Sequence, residues 1–256
     1  MASASAPLSG QVVLVTGASS GIGRAIALAC ARNGADVGIT YRRNRPGADE
    51  TASAIGALGR RSAITALDLS QESDIRALTP WLLANFGRVD TWINNAGADI
   101  LTGGAEALPV VEKLEMLLAV DLRGTILASW EAVALMKSQE RGGTVINMSW
   151  DHVSQGMEGT NPQMYAAVKG GIMAFSKGLA RSVAPSIRVN IIAPGWIQTA
   201  FGDGVPDDVR RRVAESTPMK RWGTPEDVAG AAIYLASPDA AFLTGQTIMV
   251  GGGIVM

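Results

Sequence analysis

Val12-Val-Leu-Val-Thr16-Gly17-Ala18-Ser19-Ser20-Gly21-Ile22-Gly23-Arg-Ala-Ile-Ala-Leu-Ala-Cys30 is the stretch that decides the fold. A short β-branched run reads as a buried strand. Three glycines follow, and then an alanine-rich segment suited to a helix. Gly17, Gly21 and Gly23 permit a tight strand-to-helix turn and let backbone N–H groups around Ser19, Ser20 and Ile22 approach a pyrophosphate. The helix N-terminus adds partial positive charge at the same place. A glycine cluster alone would say little. After a first strand and at the opening of a helix, it marks a dinucleotide site.

Outward from this turn, β-branched runs alternate with longer helical patterns. Strands are expected at Val12–Thr16, Val37–Tyr41, Ser62–Ala66, Thr91–Asn94, Thr144–Met148, Arg188–Ile192 and Thr247–Val250. Helices are expected at Gly21–Arg32, Ala48–Leu58, Ser73–Asn85, Val110–Lys137, Gln163–Val183 and Pro225–Ala236. Apolar strands separated by helices predict a doubly wound α/β Rossmann fold, a seven-stranded parallel sheet with helices on both faces. No repeat or linker divides residues 1–256, so one domain is expected, with residues 1–9 a disordered lead. Thr199–Thr217, with its glycines, prolines and charges, reads as a mobile loop holding a short helix.

The 256 residues are 47% hydrophobic and 18% charged, with a net charge of -1. Such a balance suits a compact globule and provides no global field for nucleic acid or an acidic membrane. Cys30 is the one cysteine and His152 the one histidine, so neither an internal disulfide nor a histidine-based metal site is expected. Cys30 reads as a small buried hydrophobe. The N-terminal residues lack the charge-then-apolar pattern of a secretory signal. No apolar run reaches the roughly 18 residues that a membrane span needs. Cytoplasmic residence is the default expectation.

The glycine turn, with three residues between Gly17 and Gly21, resembles that of the short-chain dehydrogenase/reductase family. Similar segments follow in order: Asp68-Leu69, Asn94-Asn95-Ala96-Gly97, Tyr165-Ala-Ala-Val-Lys169, Arg188 through Pro194-Gly195-Trp-Ile-Gln-Thr199, Gly223 through Val228, and Thr244-Gly245-Gln246. They cover nearly the whole chain and look closest to 3-oxoacyl-carrier-protein reductases and glucose dehydrogenases. The resemblance implies that Asp68 binds the adenine amino group and that Leu69 lies against the ring. It implies that Asn95, Ala96 and Gly97 line the adenosine side. Pro194, Gly195, Ile197 and Thr199 would hold the nicotinamide, and a homotetramer is the usual assembly.

Cofactor choice turns on the end of the second strand. A carboxylate there would accept hydrogen bonds from the ribose hydroxyls and select NAD. The sequence instead reads Tyr41-Arg42-Arg43. A guanidinium pairs well with a 2′-phosphate, so NADP(H) is favoured, with Arg42 leading and Arg43 in reserve; NAD(H) use stays open.

Tyr165 and Lys169 are four apart on an expected helix and so share one face. A phenol is a poor base at neutral pH, and a nearby cation favours its ionised form. Tyr165 would then exchange a proton with an alcohol or carbonyl oxygen while a hydride moves at the nicotinamide. In the family the lysine also bonds the nicotinamide ribose.

Two positions depart from the family pattern. Its serine would fall at Trp150 counted from the strand, or at His152 counted back from Tyr165. Ser149, Asp151, His152 and Ser154 are all candidates for polarising the substrate oxygen, with Ser149 first because it needs no unusual protonation. The family asparagine is replaced by Asp121, which keeps the backbone role but places a carboxylate that would raise the pKa of Lys169. The expected function is therefore a carbonyl reductase or alcohol dehydrogenase acting on a small molecule. A catalytically weak NADP(H)-binding regulator is the alternative that these departures allow. Trp150, Trp196, Met157 and Met164 hint at a partly apolar pocket, although core packing uses the same residues.

Overall fold

The computed structural model describes residues 6–139, 141–199 and 204–256. Seven strands form one parallel sheet: β1 Val12–Val15, β2 Asp36–Tyr41, β3 Ser62–Ala66, β4 Thr91–Asn94, β5 Gly143–Met148, β6 Ile187–Pro194 and β7 Thr247–Val250. Their order is β3-β2-β1-β4-β5-β6-β7. The order reverses direction at β1, which pairs with β2 on one side and β4 on the other. Loops leaving the carboxyl ends of β1 and β4 diverge there and open the crevice where open α/β sheets take their ligands.

The helices are α1 Gly21–Arg32, α2 Arg45–Ala57, α3 Glu72–Phe86, α4 Val110–Leu117, α5 Gly124–Ser138, α6 Thr160–Val183, α7 Asp207–Ser216 and α8 Pro225–Ala236. Helices α1, α2 and α8 cover one face through Ile26, Cys30, Ile55, Val228 and Leu235. Helices α3, α5 and α6 cover the other through Leu78, Leu82, Ala128, Met136 and Leu179. Each isoleucine, leucine, valine or methionine among them contributes about 1.5–3 kcal/mol on burial, which makes the two covered faces the main support of the sheet. Cys30 lies within the first layer, and burial pushes its thiol pKa up to about 12.

Several boundaries differ from the sequence reading. Helix α2 begins at Arg45 rather than Ala48, because the Asn44 side chain accepts the Gly47 N–H and Pro46 suits the first turn. Strand β6 runs on to Pro194 because Ala193 and Pro194 pair with Met249 and Val250. Residues 6–9 are not a disordered lead: Leu8 is fully buried, and its N–H donates to the Asn33 carbonyl. Residues 1–5 of that expectation lie outside the described residues. Within Thr199–Thr217, α7 supplies the short helix, while residues 200–203 lie outside the description.

The most consequential difference is in Val110–Lys137. The backbone stays helical throughout, but Leu118–Arg123 is a π turn between α4 and α5. Such wide turns recur at functional sites because they change the helical register and re-aim one side chain. Here the turn carries Asp121, which is 1% exposed.

Candidate active site

The glycine turn is built as a cradle. Thr16 Oγ1 accepts the N–H groups of Asn95 and Ala96 at 3.0 Å each, which ties the end of β1 to the end of β4. Gly17 has φ +67°, and a Cβ there would stand 2.9 Å from Ala96 Cα. At Gly23 an added Cβ would collide with the Gly17 carbonyl. The Asn95 amide points at this turn rather than across the crevice, donating to the carbonyls of Thr16 at 3.0 Å and Gly17 at 3.3 Å. Helix α1 opens without a side-chain cap from Ser20 and without an acidic residue in its first turn. Its N-terminal N–H groups are therefore suited to an outside anion. Thr199 overhangs Gly21, its Cγ2 lying 3.7 Å from where a Cβ would be.

At the end of β2, Arg42 Nε lies 2.9 Å from Asp68 Oδ2. Asp68 Oδ1 accepts both the N–H and the hydroxyl of Ser70. Burial opposes the Asp68 carboxylate, but the Ser70 donors and Arg42 outweigh it and hold its pKa below the ordinary range. Arg43 is exposed, and Tyr41 lies beneath the Arg45 guanidinium at 5.8 Å. Leu69 is buried against the start of α5, where a Cβ on Gly124 would stand 2.8 Å from it.

Helix α6 brings Tyr165 and Lys169 to the carboxyl end of the sheet, held by a buried polar chain. Asn94 Nδ2 donates to Asn147 Oδ1 at 2.8 Å, and Asn147 Nδ2 donates to Ser176 Oγ on α6 at 2.9 Å. Lys169 Nζ sits 5.3 Å from the centre of the Tyr165 ring and 2.8 Å from Asp121 Oδ2. The other oxygen, Asp121 Oδ1, accepts the Ala98 N–H at 2.6 Å. Burial works against the Lys169 ammonium, yet Asp121 and Tyr165 more than offset it, so its pKa lies above the usual lysine value. Burial raises the Tyr165 phenol; Lys169 pulls it down, and Asp121 pushes it up again, leaving it above the usual tyrosine value.

Ser149 is 4% exposed, and its hydroxyl donates to the Lys169 carbonyl at 2.9 Å. Trp150 follows, with its ring edge-on to Tyr165 at 5.4 Å and stacked on His152 at 5.0 Å. His152 Nδ1 lies 2.6 Å from Asp151 Oδ1, and both residues are buried. Asp151 Oδ2 is wedged where a Cβ on either Gly195 or Gly251 would fall. Burial raises the Asp151 pKa, with His152 opposing it. Ser154 is exposed.

Pro194 is buried at the end of β6, and Gly195 N–H donates to the Val250 carbonyl at 3.0 Å. Ile197 is buried and bridges to Gly223. Of the residues expected to line an apolar pocket, Met164 packs instead with Ile100, Leu117 and Val168 behind Tyr165. Trp196 pairs with Trp222 at 5.2 Å. Sequence reasoning missed the wedge of Asp151 between two glycines, because nothing local links Gly195 and Gly251 to the loop after β5. The adjacency of Asp151 and His152 was the one available signal.

A single-sheet dinucleotide fold with a tyrosine–lysine pair on the helix after β5 defines a class of oxidoreductase. A family model described as enoyl-(acyl carrier protein) reductase matches residues 17–255. The chain belongs to the short-chain dehydrogenase/reductase family, enzymes that act on CH–OH groups with nicotinamide dinucleotides. It is 36% identical over 254 residues to glucose 1-dehydrogenase 2 of Bacillus subtilis (strain 168), covering 97% of this chain and 96% of the relative. It is 34% identical over 250 residues to an L-rhamnose 1-dehydrogenase (NAD(P)(+)) of Sphingomonas sp. (strain SKA58), covering 96% and 97%. Among solved structures, acetoin dehydrogenase from Salmonella typhimurium superimposes with a TM-score of 0.82 at 33% identity, covering 95% of each chain. A mutant short-chain dehydrogenase/reductase of Serratia marcescens gives a TM-score of 0.88 at 31% identity, covering 98% of this chain and all of that one.

The cradle fits a dinucleotide. The uncapped start of α1 offers N–H groups to a diphosphate, and Gly17 and Gly23 leave room for the close backbone approach.

Proposed function

We propose that this chain is an NADP(H)-dependent oxidoreductase that interconverts a carbonyl and a secondary alcohol, with Tyr165 as acid–base and Lys169 assisting. The observation that carries this reading is the Lys169 ammonium 5.3 Å from the Tyr165 ring centre, on the helix that follows β5. A bound nicotinamide supplies or accepts the hydride. Tyr165 donates its phenolic proton to the carbonyl oxygen in reduction and takes the hydroxyl proton in oxidation. Lys169 stabilises the phenolate that results. Asp121 fixes Lys169, and Ser149 holds the α6 backbone at the Lys169 carbonyl.

With the Ser149 hydroxyl engaged there, the donor on the substrate oxygen is His152, held by Asp151 and stacked on Trp150. The cofactor residues are Gly17, Ser19, Ser20, Gly21, Ile22 and Gly23 for the diphosphate, with Tyr41, Arg42 and Arg43 at the adenosine ribose and its 2′-phosphate. Asp68, Leu69, Asn95, Ala96 and Gly97 serve the adenosine, and Pro194, Gly195, Ile197 and Thr199 serve the nicotinamide. The end of β2, Tyr41-Arg42-Arg43, carries guanidinium groups and no carboxylate, which supports NADP(H) over NAD(H).

No helix among the described residues is long and apolar enough to cross a membrane, and we place the enzyme in the cytoplasm. A homotetramer agrees with the exposed Trp130 on α5 and Met249 on the edge strand β7, which are 54% and 40% exposed. Incubation with NADPH and a panel of ketones tests the reading. Turnover that disappears in Tyr165→Phe supports it; no turnover of any ketone or alcohol, with tight NADPH binding retained, favours the regulatory alternative.

A further inference from the structure

We propose that Asp121 is a positioning residue that sets the pH at which Tyr165 changes from proton donor to proton acceptor, and so keeps the site in its carbonyl-reducing form through neutral and alkaline pH. The inference rests on the tyrosine–lysine reading above. It begins with a geometric fact: Lys169 reaches Asp121 Oδ2 at 2.8 Å, and the pair is almost wholly buried, with side chains 5% and 1% exposed. Asp121 cannot drift from this contact. The Ala98 N–H holds its other oxygen at 2.6 Å, the π turn fixes its backbone, and Gly97 leaves room for it, since a Cβ there would stand 3.0 Å from Oδ2.

An isolated ammonium beside a phenol stabilises the phenolate. An ammonium already matched by a carboxylate presents close to a neutral pair, and the carboxylate itself repels a second negative charge. Other charged groups around the pair do not alter this balance. Lys113 on α4 donates its ammonium to the Glu106 carbonyl, Glu112 and Glu115 on that helix face solvent, and Asp99 after β4 accepts the N–H groups of Leu101 and Thr102. Asp151 and His152, after β5, are matched to each other. From α4 and the π turn, Leu114, Leu117, Leu118 and Leu122 share an apolar cluster with Tyr165.

Hydride from NADPH forms a C–H bond at the carbonyl carbon, while the Tyr165 O–H bond breaks and its proton passes to the carbonyl oxygen. The carbonyl is reduced to the alcohol, NADP+ is left, and water returns a proton to the phenolate. Reduction thus needs the phenol and fades as pH rises through its ionisation; oxidation needs the phenolate and grows over the same range. Removing the Asp121 charge lowers that ionisation, so both limbs move to lower pH together. The overall equilibrium is untouched.

The test uses Asp121→Asn, with Asp121→Ser as a second variant should the first fail to fold. The chain has three tyrosines, and the ultraviolet titration of Tyr165 is isolated by subtracting the Tyr165→Phe curve. The expected result is about tenfold more Tyr165 phenolate at a fixed pH below the transition, as loss of one nearby like charge produces. The alkaline limb of kcat for reduction and the rising limb for oxidation should both move down by the same amount. Turnover with an unmoved titration overturns the role of Asp121 and leaves the oxidoreductase reading standing. A titration that moves in a protein that turns over no ketone or alcohol overturns the oxidoreductase reading, and with it the proposed bias toward reduction.

Discussion

Asp151 Oδ1 lies 2.6 Å from His152 Nδ1, and this buried pair stands one stacked ring, Trp150, from the Tyr165 side chain. Asp151 occupies the Nδ1 edge of the ring, which leaves Nε2 as the ring nitrogen that can meet a substrate oxygen. Burial raises the Asp151 pKa, with His152 opposing it. We propose that His152 donates where the family uses a serine. His152→Ala should lower kcat for ketone reduction by about 100-fold, the usual loss of one donor to a developing oxyanion. NADPH affinity should stay within a few-fold, and His152→Gln, which keeps a donor, should recover part of the loss. Steady-state kinetics with NADPH binding measured separately checks this, and an unchanged kcat would assign the donor elsewhere.

Gly195 follows β6 and Gly251 follows β7, yet each faces Asp151 Oδ2 where its side chain would begin. Neither space can admit a methyl group unless the carboxylate moves. Gly251→Ala should cost about 1–3 kcal/mol by overpacking, read as a lower denaturant midpoint. Shortening the obstacle with Asp151→Ser in the same chain should restore most of that loss. The double-mutant cycle would then show coupling, and strict additivity would mean that the clash is relieved elsewhere.

These two relationships also mark the limit of what the sequence makes legible. The cradle could be read because its pattern is local: Gly17, Gly21 and Gly23 fall between the end of β1 and the first turn of α1, within seven residues of sequence. The family segments through Tyr165 and Lys169 could be read for the same reason, since i and i+4 on α6 share a face. The π turn could not, because Leu118–Arg123 carries an ordinary helical pattern, and the register change is supported by Asp121 meeting Ala98 and Lys169 across the chain. Ser149 next to β5 reads as the first candidate for the substrate oxygen, and only the packing of α6 reveals that its hydroxyl donates a hydrogen bond to the Lys169 carbonyl. The early order at Leu8 was likewise hidden, because its partner is Asn33, beyond the first strand.

Arg42 should decide the cofactor. Its guanidinium is half exposed and already oriented by Asp68 at 2.9 Å, so it is held ready without being neutralised by a buried contact. Arg42→Ala should raise the KM for NADPH about tenfold or more, as loss of a hydrogen bond to a charged group does. The KM for NADH should change little. Parallel kinetics with the two cofactors reads the difference, and equal effects on both would place the 2′-phosphate contact at Arg43 or Arg45.

Ser149 offers the sharpest separation between a supporting and a reacting hydroxyl. Its proton goes to the Lys169 carbonyl at 2.9 Å, its own N–H goes to the Ile192 carbonyl at 2.8 Å, and it is 4% exposed. Ser149→Ala removes one buried hydrogen bond between β5 and α6, which should cost about 1 kcal/mol of stability. Because the α6 helix keeps its own ladder and its tie through Asn147 and Ser176, Tyr165 and Lys169 should stay in place. We therefore expect kcat to fall by no more than a few-fold while the melting temperature drops by several degrees. A substrate-polarising Ser149 would give the opposite pattern, with kcat reduced about 100-fold or more at nearly unchanged stability. Measuring kcat and Tm on the one variant distinguishes the two roles.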